Sequence, residues 1–191
     1  MLERIDEFKA LLKERLKEDR YYHSLCVMEE AKKLAEAYGA DVEKATVAGL
    51  LHDITKNESD DIHRFIFEKG NIPLDYVSRK SRKLFHAISG AYVVEHDLKI
   101  TDSDIINAIR YHTTARENMS LLEKIIYMAD FISADRTYDG VDELRKLAYT
   151  SLRDAMEFAL EFSVNELVEK KAMLHLDTVK AWNDCIKERK N

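Results

Sequence analysis

One dipeptide of the chain combines two side chains that could bind a metal ion. His52 and Asp53 follow the apolar pair Leu50 and Leu51, where neither would be chosen to fill a core. Adjacent residues on a helix point about 100° apart, so both reach one ion most easily near a helix end. Imidazole with carboxylate suits a borderline divalent cation such as iron, manganese or zinc. The alternative is a solvated helix end without function.

Other predicted helices carry further residues of the same chemistry. His23 lies near the start of a predicted helix, where the helix dipole disfavours an imidazolium but not a neutral ligand. Asp130 lies inside the most apolar predicted helix with no cation three or four residues away, so it either points outward or needs a partner from elsewhere. His86 and His112 occupy two more helices. Together with the dipeptide, this ordered set indicates a metal site more specifically than any single member.

Composition limits the fold class and the kinds of partner. The 191 residues are 46% hydrophobic and 35% charged, which is typical of a soluble globular protein. With one Pro and five Gly there are few helix breakers, so we predict an all-α fold. A net charge of −6 argues against nucleic acid as a partner but allows a small phosphorylated ligand. The two cysteines and the lack of a long apolar segment lead us to expect a cytoplasmic protein without membrane association.

Apolar periodicity predicts a helical bundle that forms one domain over residues 1–191. The predicted helices cover residues 2–18, 21–38, 42–54, 57 or 59 to 70, 74–97 with a break near 81, 105–111, 121–132, 141–148, 151–170 and 178–189. Predicted helix-end signals are Gly39, Asp41, Asp177 and two capping boxes, at 101–104 and 120–123. The amphipathic first helix serves packing or a partner surface, and it makes a homodimer plausible.

Three more features of the sequence predict local structure. His63 stands among charged neighbours and is expected to be a solvated surface histidine. Gly90 costs its helix about 1 kcal/mol relative to alanine, so it predicts a close approach by a neighbour. The basic run at 79–83 is either a solvated face or a surface that draws phosphates toward a nearby site.

Six segments of the chain resemble one family. They read RYYHSL (20–25), YGADVEKA (38–45), AGLLHDITK (48–56), NAIRYHTT (107–114), LLEKIIYMAD (121–130) and GVDELRKLA (140–148). They are similar to the HD-domain phosphohydrolase superfamily and, within it, to the YqeK family of symmetrical bis(5′-nucleosyl)-tetraphosphatases, formerly described as HD hydrolases involved in NAD metabolism. The resemblance implies a single-domain HD-domain helical bundle with a core at about 18–135. Helices at 140–190 would complete a nucleotide pocket.

The resemblance also implies an activity. The enzyme would cleave diadenosine tetraphosphate symmetrically to two ADP, with metal-activated water attacking a central phosphorus. The cofactor would be iron, as one or two ions, although manganese or another divalent metal also fits. Carried over by position, the metal ligands would be His23, His52, Asp53 and Asp130. The substrate-binding residues would be Arg20, His23, Asp53, His86, His112, Thr113, Arg136, Met173, His175 and Thr178.

The chemistry of these side chains suggests catalytic roles. Asp53 could act as a general base, and Lys56, His86 and His112 as electrostatic or acid groups at the leaving phosphate. His86 and His112 could instead complete a second metal site. The residues leave open an HD-type nucleotidase acting on mononucleotides, a non-catalytic nucleotide-binding regulator, or an all-α interaction protein. The chain departs from the family pattern at Ala115, at 133–135 and at Leu176.

Overall fold

The computed structural model describes residues 1–188, and within that range it contains eleven α-helices and no β-strand. The helices are α1 Ile5–Arg15, α2 Glu18–Tyr38, α3 Val42–Leu51, α4 Asp60–Lys69, α5 Tyr76–Lys80, α6 Phe85–His96, α7 Ser103–Tyr111, α8 Leu121–Ile132, α9 Val141–Thr150, α10 Leu152–Glu169 and α11 Leu176–Glu188. The all-α prediction is confirmed. The last helix was expected to reach residue 189, which lies outside the described residues. None of the described helices combines the length and the apolarity needed to cross a bilayer.

Helices α2, α3, α7 and α8 form the centre of the bundle. α2 packs along α3 and α8, while α7 packs against α3, α6 and α8. α10 packs against α8, α9 and α11. Phe8 and Leu12 of α1 are fully buried in the same core, and burying each such side chain contributes roughly 1.5–3 kcal/mol. The apolar side of the first helix is therefore used within the chain, and the homodimer stays a prediction.

Several predicted helix ends are confirmed. Gly39 ends α2 in the left-handed region at φ 68°, and Asp41 accepts a hydrogen bond from the Lys44 backbone N–H at 3.0 Å. Ser120 and Glu123 form the reciprocal capping box that starts α8. The expected break near residue 81 separates α5 from α6. These caps satisfy backbone groups that a helix end leaves without partners, and they fix where each helix begins and ends.

Three predicted boundaries are wrong. The first helix is a 3₁₀ turn at Leu2–Arg4 followed by α1. α2 begins at Glu18, three residues earlier than predicted, because two acidic residues in its first turn suit the positive end of the helix dipole. α3 ends at Leu51 rather than at residue 54, so His52 is its C-cap and Asp53 lies in the turn beyond. The histidine and the aspartate thus lie at a helix end, where both can face one point.

Two of the predicted caps are also wrong. The sequence at 101–104 forms no capping box, because the Asp102 carboxylate itself accepts the N–H groups of Asp104 and Ile105. Asp177 is not an N-cap, because α11 already begins at Leu176. The imidazole of His175 takes that role, since its Nδ1 accepts the Asp177 N–H at 3.1 Å. In each case a side chain two or three residues before the N–H group accepts the hydrogen bond.

The expected surface position of His63 is wrong as well. His63 has 0% exposure, and its ring stacks on Phe67 and meets Phe85 edge-on, with centroids 6.3 and 5.8 Å apart. Its Nδ1 lies 2.8 Å from the Ser89 hydroxyl. His63 lies on the same face of α4 as Ile66 and Phe67. Its position on this apolar face determines its burial, although its neighbours in the sequence are charged. Desolvation, with the charge of Arg82, lowers its pKa to about 4, so the buried ring is neutral.

The close approach expected at Gly90 occurs instead at Gly49. A Cβ on Gly90 would lie 3.5 Å from its nearest neighbours, which is ordinary contact. A Cβ on Gly49 would lie 3.0 Å from Ala31 Cβ and 3.1 Å from the Met28 Cα and the Val27 carbonyl oxygen of α2. Two of those three atoms are backbone and cannot move aside alone. Gly49 therefore allows α3, and the His52 that follows it, to approach α2.

The two glycines make a matched pair for a stability test. Gly49→Ala should lower the free energy of unfolding by about 1–3 kcal/mol through overpacking. The higher helix propensity of alanine offsets part of this loss. Gly90→Ala should leave it unchanged or raise it by up to about 1 kcal/mol, because the methyl group fits and alanine favours the helix. Urea denaturation of the chelator-treated protein measures both values. Equal effects of the two substitutions would contradict the close approach at Gly49.

Candidate metal centre

The helix ends bring the predicted ligands into two overlapping groups of three. His23 of α2, His52 and Asp130 of α8 can each offer a ligand atom, all lying within 4.8 Å of one another. His52, Asp53 and His112 form the second such group under the same limit. His52 belongs to both groups, so the four predicted metal ligands lie in one cluster that also contains His112.

The rings of His52 and His112 are held in the same way. Each residue follows the last turn of its helix, where backbone carbonyls lack helical partners. His52 Nδ1 lies 2.8 Å from the Gly49 carbonyl oxygen, and His112 Nδ1 lies 2.7 Å from the Ile109 carbonyl oxygen. A carbonyl can only accept, so both Nδ1 atoms carry the proton and donate it. In the neutral ring, Nε2 then has a free lone pair that points into the cluster.

His23 is oriented by a carboxylate instead of a carbonyl. Its Nδ1 lies 2.8 Å from an Asp135 oxygen, and its Nε2 lies 2.9 Å from Asp130 Oδ1. A second Asp135 oxygen accepts the Ser133 hydroxyl proton at 2.7 Å, which fixes the carboxylate. An imidazole that donates its second N–H to a carboxylate is the usual arrangement of a metal-binding histidine. Asp135 is therefore a positioning residue for His23.

Asp53 is a buried carboxylate surrounded by nitrogen atoms. Its Oδ2 lies 2.9 Å from the Arg20 guanidinium, while its Oδ1 lies 3.1 Å from His86 Nε2 and 3.6 Å from His112 Nε2. Desolvation raises the pKa of Asp53, but the interactions with His52 and these imidazoles outweigh it and hold the pKa well below the usual range. Asp53 is therefore ionised, as a metal ligand or a proton acceptor must be.

Asp130 does point inward, and its partners come from other elements. The Arg136 guanidinium pairs with its carboxylate and donates to its backbone carbonyl oxygen at 2.8 Å. Desolvation raises the pKa of Asp130, but the imidazoles of His23 and His52 and the guanidinium of Arg136 hold it well below the usual range. The expectation that Asp130 needs a partner from elsewhere is thus met by α2 and by the loop after α8.

His86 occupies the edge of the cluster nearest to Lys56. The Lys56 ammonium group lies 3.0 Å from His86 Nε2, and His112 Nε2 lies 3.1 Å from the same atom. Desolvation lowers the pKa of His86 to about 4, although Asp53 opposes this shift. A neutral His86 can therefore accept a hydrogen bond from Lys56 or bind a cation, but it carries no positive charge of its own at pH 7.

Two atoms of the cluster test whether a metal ion would fit. Among residues 1–188, the buried His52 Nε2 and Asp53 Oδ1 have no hydrogen-bond partner in good geometry, although His86 Nε2 lies 3.1 Å from Asp53 Oδ1. Leaving such groups unpaired costs roughly 1–3 kcal/mol each, more for a charged one. Imidazole nitrogens with free lone pairs beside ionised carboxylates are the donors that borderline divalent cations prefer. The residues present therefore fit a divalent metal.

A cavity of about 500 Å³ opens beside the cluster. The predicted catalytic and substrate-binding residues that line it are Lys56, His86, His112, Thr113, Met173, His175 and Thr178, together with the predicted metal ligand Asp130. Arg82 and Lys83 of the basic run also line it, whereas Arg79 and Lys80 do not. Apolar side chains such as Leu84, Phe131 and Leu167 complete the wall. The cavity combines a polar floor with an apolar surface large enough for a nucleoside.

The predicted substrate-binding residues differ in their hydrogen bonds and in whether they line the cavity. The Thr113 hydroxyl oxygen is buried and lacks a partner among the described residues. The ring nitrogens of His175 are engaged, Nε2 with the Asp75 carboxylate at 2.9 Å and Nδ1 with a backbone N–H. Arg20, His23 and Asp53 lie outside the cavity wall. Arg136 lines a separate, smaller concavity.

Sequence reasoning missed the roles of two residues at the site. Asp135 orients His23, yet the two residues are 112 positions apart in the chain. Gly49 carries the carbonyl that orients His52. The departure noted at Ala115 coincides with a left-handed backbone at φ 56°, a conformation that costs a residue with a Cβ about 1–2 kcal/mol.

Comparison with known proteins agrees with this geometry. The HD-domain family model matches residues 20–135. The symmetrical bis(5′-nucleosyl)-tetraphosphatase of Bacillus subtilis is 39% identical over 178 residues, which are 93% of this chain and 95% of the relative. The protein of the same name from Staphylococcus aureus is 38% identical, covering 95% of this chain and 92% of its own.

A solved structure extends the similarity to three dimensions. The crystal structure of a predicted HD superfamily hydrolase involved in NAD metabolism, from Clostridium acetobutylicum, is 39% identical and has a TM-score of 0.93. The match covers 96% of this chain and 97% of that one. The HD motif residues His52 and Asp53 fall inside the matched family region. The chain therefore belongs to the HD-domain family and, within it, to the family of the symmetrical bis(5′-nucleosyl)-tetraphosphatases.

Proposed function

We propose that this chain is a metal-dependent hydrolase that cleaves diadenosine tetraphosphate symmetrically to two ADP. The observation that carries the proposal is the set of imidazoles held by their Nδ1–H groups so that Nε2 faces two ionised carboxylates. The names of the relatives from Bacillus subtilis and Staphylococcus aureus support the same activity. Helices α9 to α11 belong to the same proposed domain, and α10 and α11 complete its nucleotide pocket.

We propose iron as the metal, with one or two ions per chain. His52 has a single free ring nitrogen, because its other nitrogen donates to Gly49, so it can bind one ion only. An ion held by His23, His52 and Asp130 leaves His86 and His112 available beside Asp53. Those three residues supply donors for a second ion. Nitrogen and carboxylate donors of this kind suit iron or manganese.

A divalent cation bound here would supply a Lewis acid that lowers the pKa of water and offsets the charge of the phosphate oxygens. The ionised Asp53 accepts a proton from the attacking water. The water oxygen forms a bond to one central phosphorus, and the bond from that phosphorus to the bridging oxygen breaks. The bridging oxygen leaves with the second ADP. Lys56, which lines the cavity beside His86, can donate a hydrogen bond to that oxygen.

The rest of the cavity orients the substrate. Arg82 and Lys83 place positive charge at its rim, where the polyphosphate would enter. The unpaired Thr113 hydroxyl can hydrogen-bond to a phosphate oxygen. Leu84, Leu167 and the half-exposed Met173 give the nucleoside an apolar wall that excludes water. The polar and the apolar groups of the cavity match the two ends of a nucleotide.

The direct test is product analysis with protein purified without oxygen. The wild-type chain incubated with diadenosine tetraphosphate should release ADP alone, and a chelator should stop the reaction. The release of AMP with ATP would contradict symmetrical cleavage. Failure to act on diadenosine tetraphosphate, with hydrolysis of mononucleotides, would replace the proposal by a nucleotidase.

Asp130→Asn should lose bound metal and turnover together, because the amide keeps the shape of the side chain but not its charge. Metal content is measured by elemental analysis and turnover by ADP release. Asp139→Asn is the matched control, since Asp139 is exposed in the loop after α8 and should retain both. Full activity in a metal-free Asp130→Asn protein would rule out the assignment of Asp130.

Asp135→Ala should weaken metal binding by about 10- to 100-fold, the usual effect of removing the carboxylate that orients a metal-binding histidine. The affinity is measured by competition with a chelator of known strength. Turnover should recover when enough metal is added, because no ligand has been removed. Asp139→Ala, on the same loop, should bind metal as the wild type does. Unchanged affinity in Asp135→Ala would show that His23 needs no orienting partner.

A further inference from the structure

We propose that an aromatic shelf formed by Tyr138 and Phe162 binds the second nucleoside of the substrate, in a concavity that adjoins the large cavity at Asp130. The inference rests on the proposed function, because only a substrate with two nucleosides needs two base-binding surfaces. No motif in the sequence predicts this concavity. The base of a dinucleoside tetraphosphate is the proposed occupant.

The shelf lines a second concavity of about 200 Å³. Its residues are Asp130, Phe131, Arg136, Tyr138, Phe162 and Glu166. Asp130, Phe131 and Glu166 also line the cavity of about 500 Å³. The two concavities therefore adjoin at Asp130, a proposed metal ligand. A molecule centred on the metal cluster can extend into both.

Symmetrical cleavage leaves a second arm that such an arrangement can hold. When a central phosphorus is attacked, each arm of the substrate consists of two phosphates and one nucleoside, so both arms have the same length. The larger cavity has room for one nucleoside. The other arm must leave the reacting atoms in a different direction. Arg136 lines only the smaller of these two concavities, and its guanidinium beside Asp130 places positive charge where the phosphates of that arm would lie.

The aromatic rings of the shelf suit a nucleobase. Phe162 is 41% exposed, although its ring stacks on Tyr138 with centroids 5.6 Å apart and meets Phe131 edge-on at 6.4 Å. The Tyr138 hydroxyl donates to the Phe131 carbonyl oxygen at 3.0 Å, which fixes the Tyr138 ring. An exposed, supported aromatic ring is a stacking platform for a base.

The shelf should accept different bases. Its polar groups are already engaged, since Arg136 pairs with Asp130, Glu166 pairs with Lys170, and the Tyr138 hydroxyl donates to a carbonyl. Stacking without hydrogen bonds to base edges is tolerant of base identity. Adenosine–guanosine tetraphosphate, which has one adenine and one guanine, should therefore be cleaved about as well as the diadenosine compound.

The test compares a substrate with two nucleosides to one with a single nucleoside. In Phe162→Ala, the ratio of kcat/KM for diadenosine tetraphosphate to kcat/KM for adenosine tetraphosphate should fall about tenfold, the effect of losing one stacked base. Phe162→Trp should restore the ratio, whereas Phe162→Leu should not. Phe158→Ala is the matched control. Phe158 lies four residues earlier on α10, is similarly exposed at 42%, and lines neither concavity, so its ratio should stay at the wild-type value.

Other outcomes would contradict the proposal that the shelf binds the second nucleoside. An unchanged ratio in Phe162→Ala would show that the second base binds elsewhere, and an equal loss on both substrates would mean that Phe162 serves only the structure or the first nucleoside. If the wild-type protein does not cleave diadenosine tetraphosphate, the proposed function is wrong. That result is distinct from the results for Phe162→Ala that test the shelf. Equilibrium dialysis with ADP still tests the shelf in that case. Two ADP per wild-type chain and one per Phe162→Ala chain support it, and equal numbers contradict it.

Discussion

The site depends on hydrogen bonds that determine which nitrogen of each buried imidazole is free. His52 and His112 donate Nδ1–H to carbonyl oxygens at the ends of α3 and α7, and His23 donates to Asp135. Without these acceptors each ring could rotate or change tautomer, and its lone pair would no longer face the carboxylates. The helix ends are therefore part of the chemistry, because carbonyls without helical partners are what hold two of the three rings.

The scaffold brings these helix ends together by close packing and by charge. Gly49 lets α3 approach α2, and the same residue supplies the carbonyl that holds His52. Asp53 is then buried, and Asp130 is partly buried, as an anion, which is tolerable because imidazoles and the guanidinium groups of Arg20 and Arg136 surround the two carboxylates. A bound cation would supply part of the positive charge that offsets these two carboxylates. The cluster would be costly as a purely structural core, and this favours a ligand-binding role.

The sequence predicted much of this site, for reasons that are local. His52 and Asp53 stand out because they interrupt an apolar run, and Gly39 and the capping box at 120–123 mark helix ends by their own chemistry. His63 could have been predicted, since it shares a helical face with apolar residues. Asp135 could not, because a loop carboxylate has no local sign that its partner lies 112 residues away. The overlap of the two ligand groups at His52 likewise depends on helix packing, which no short segment specifies.

The most direct measurement is anomalous diffraction from crystals of the wild-type chain purified and grown without oxygen. Data collected on either side of the iron absorption edge locate bound iron without any assumption about its ligands. We predict at least one peak within bonding distance of the Nε2 atoms of His23 and His52 and of the Asp130 carboxylate, about 2.0–2.2 Å away. A chain that cleaves diadenosine tetraphosphate with its metal bound elsewhere, or with none in this cluster, would contradict the account.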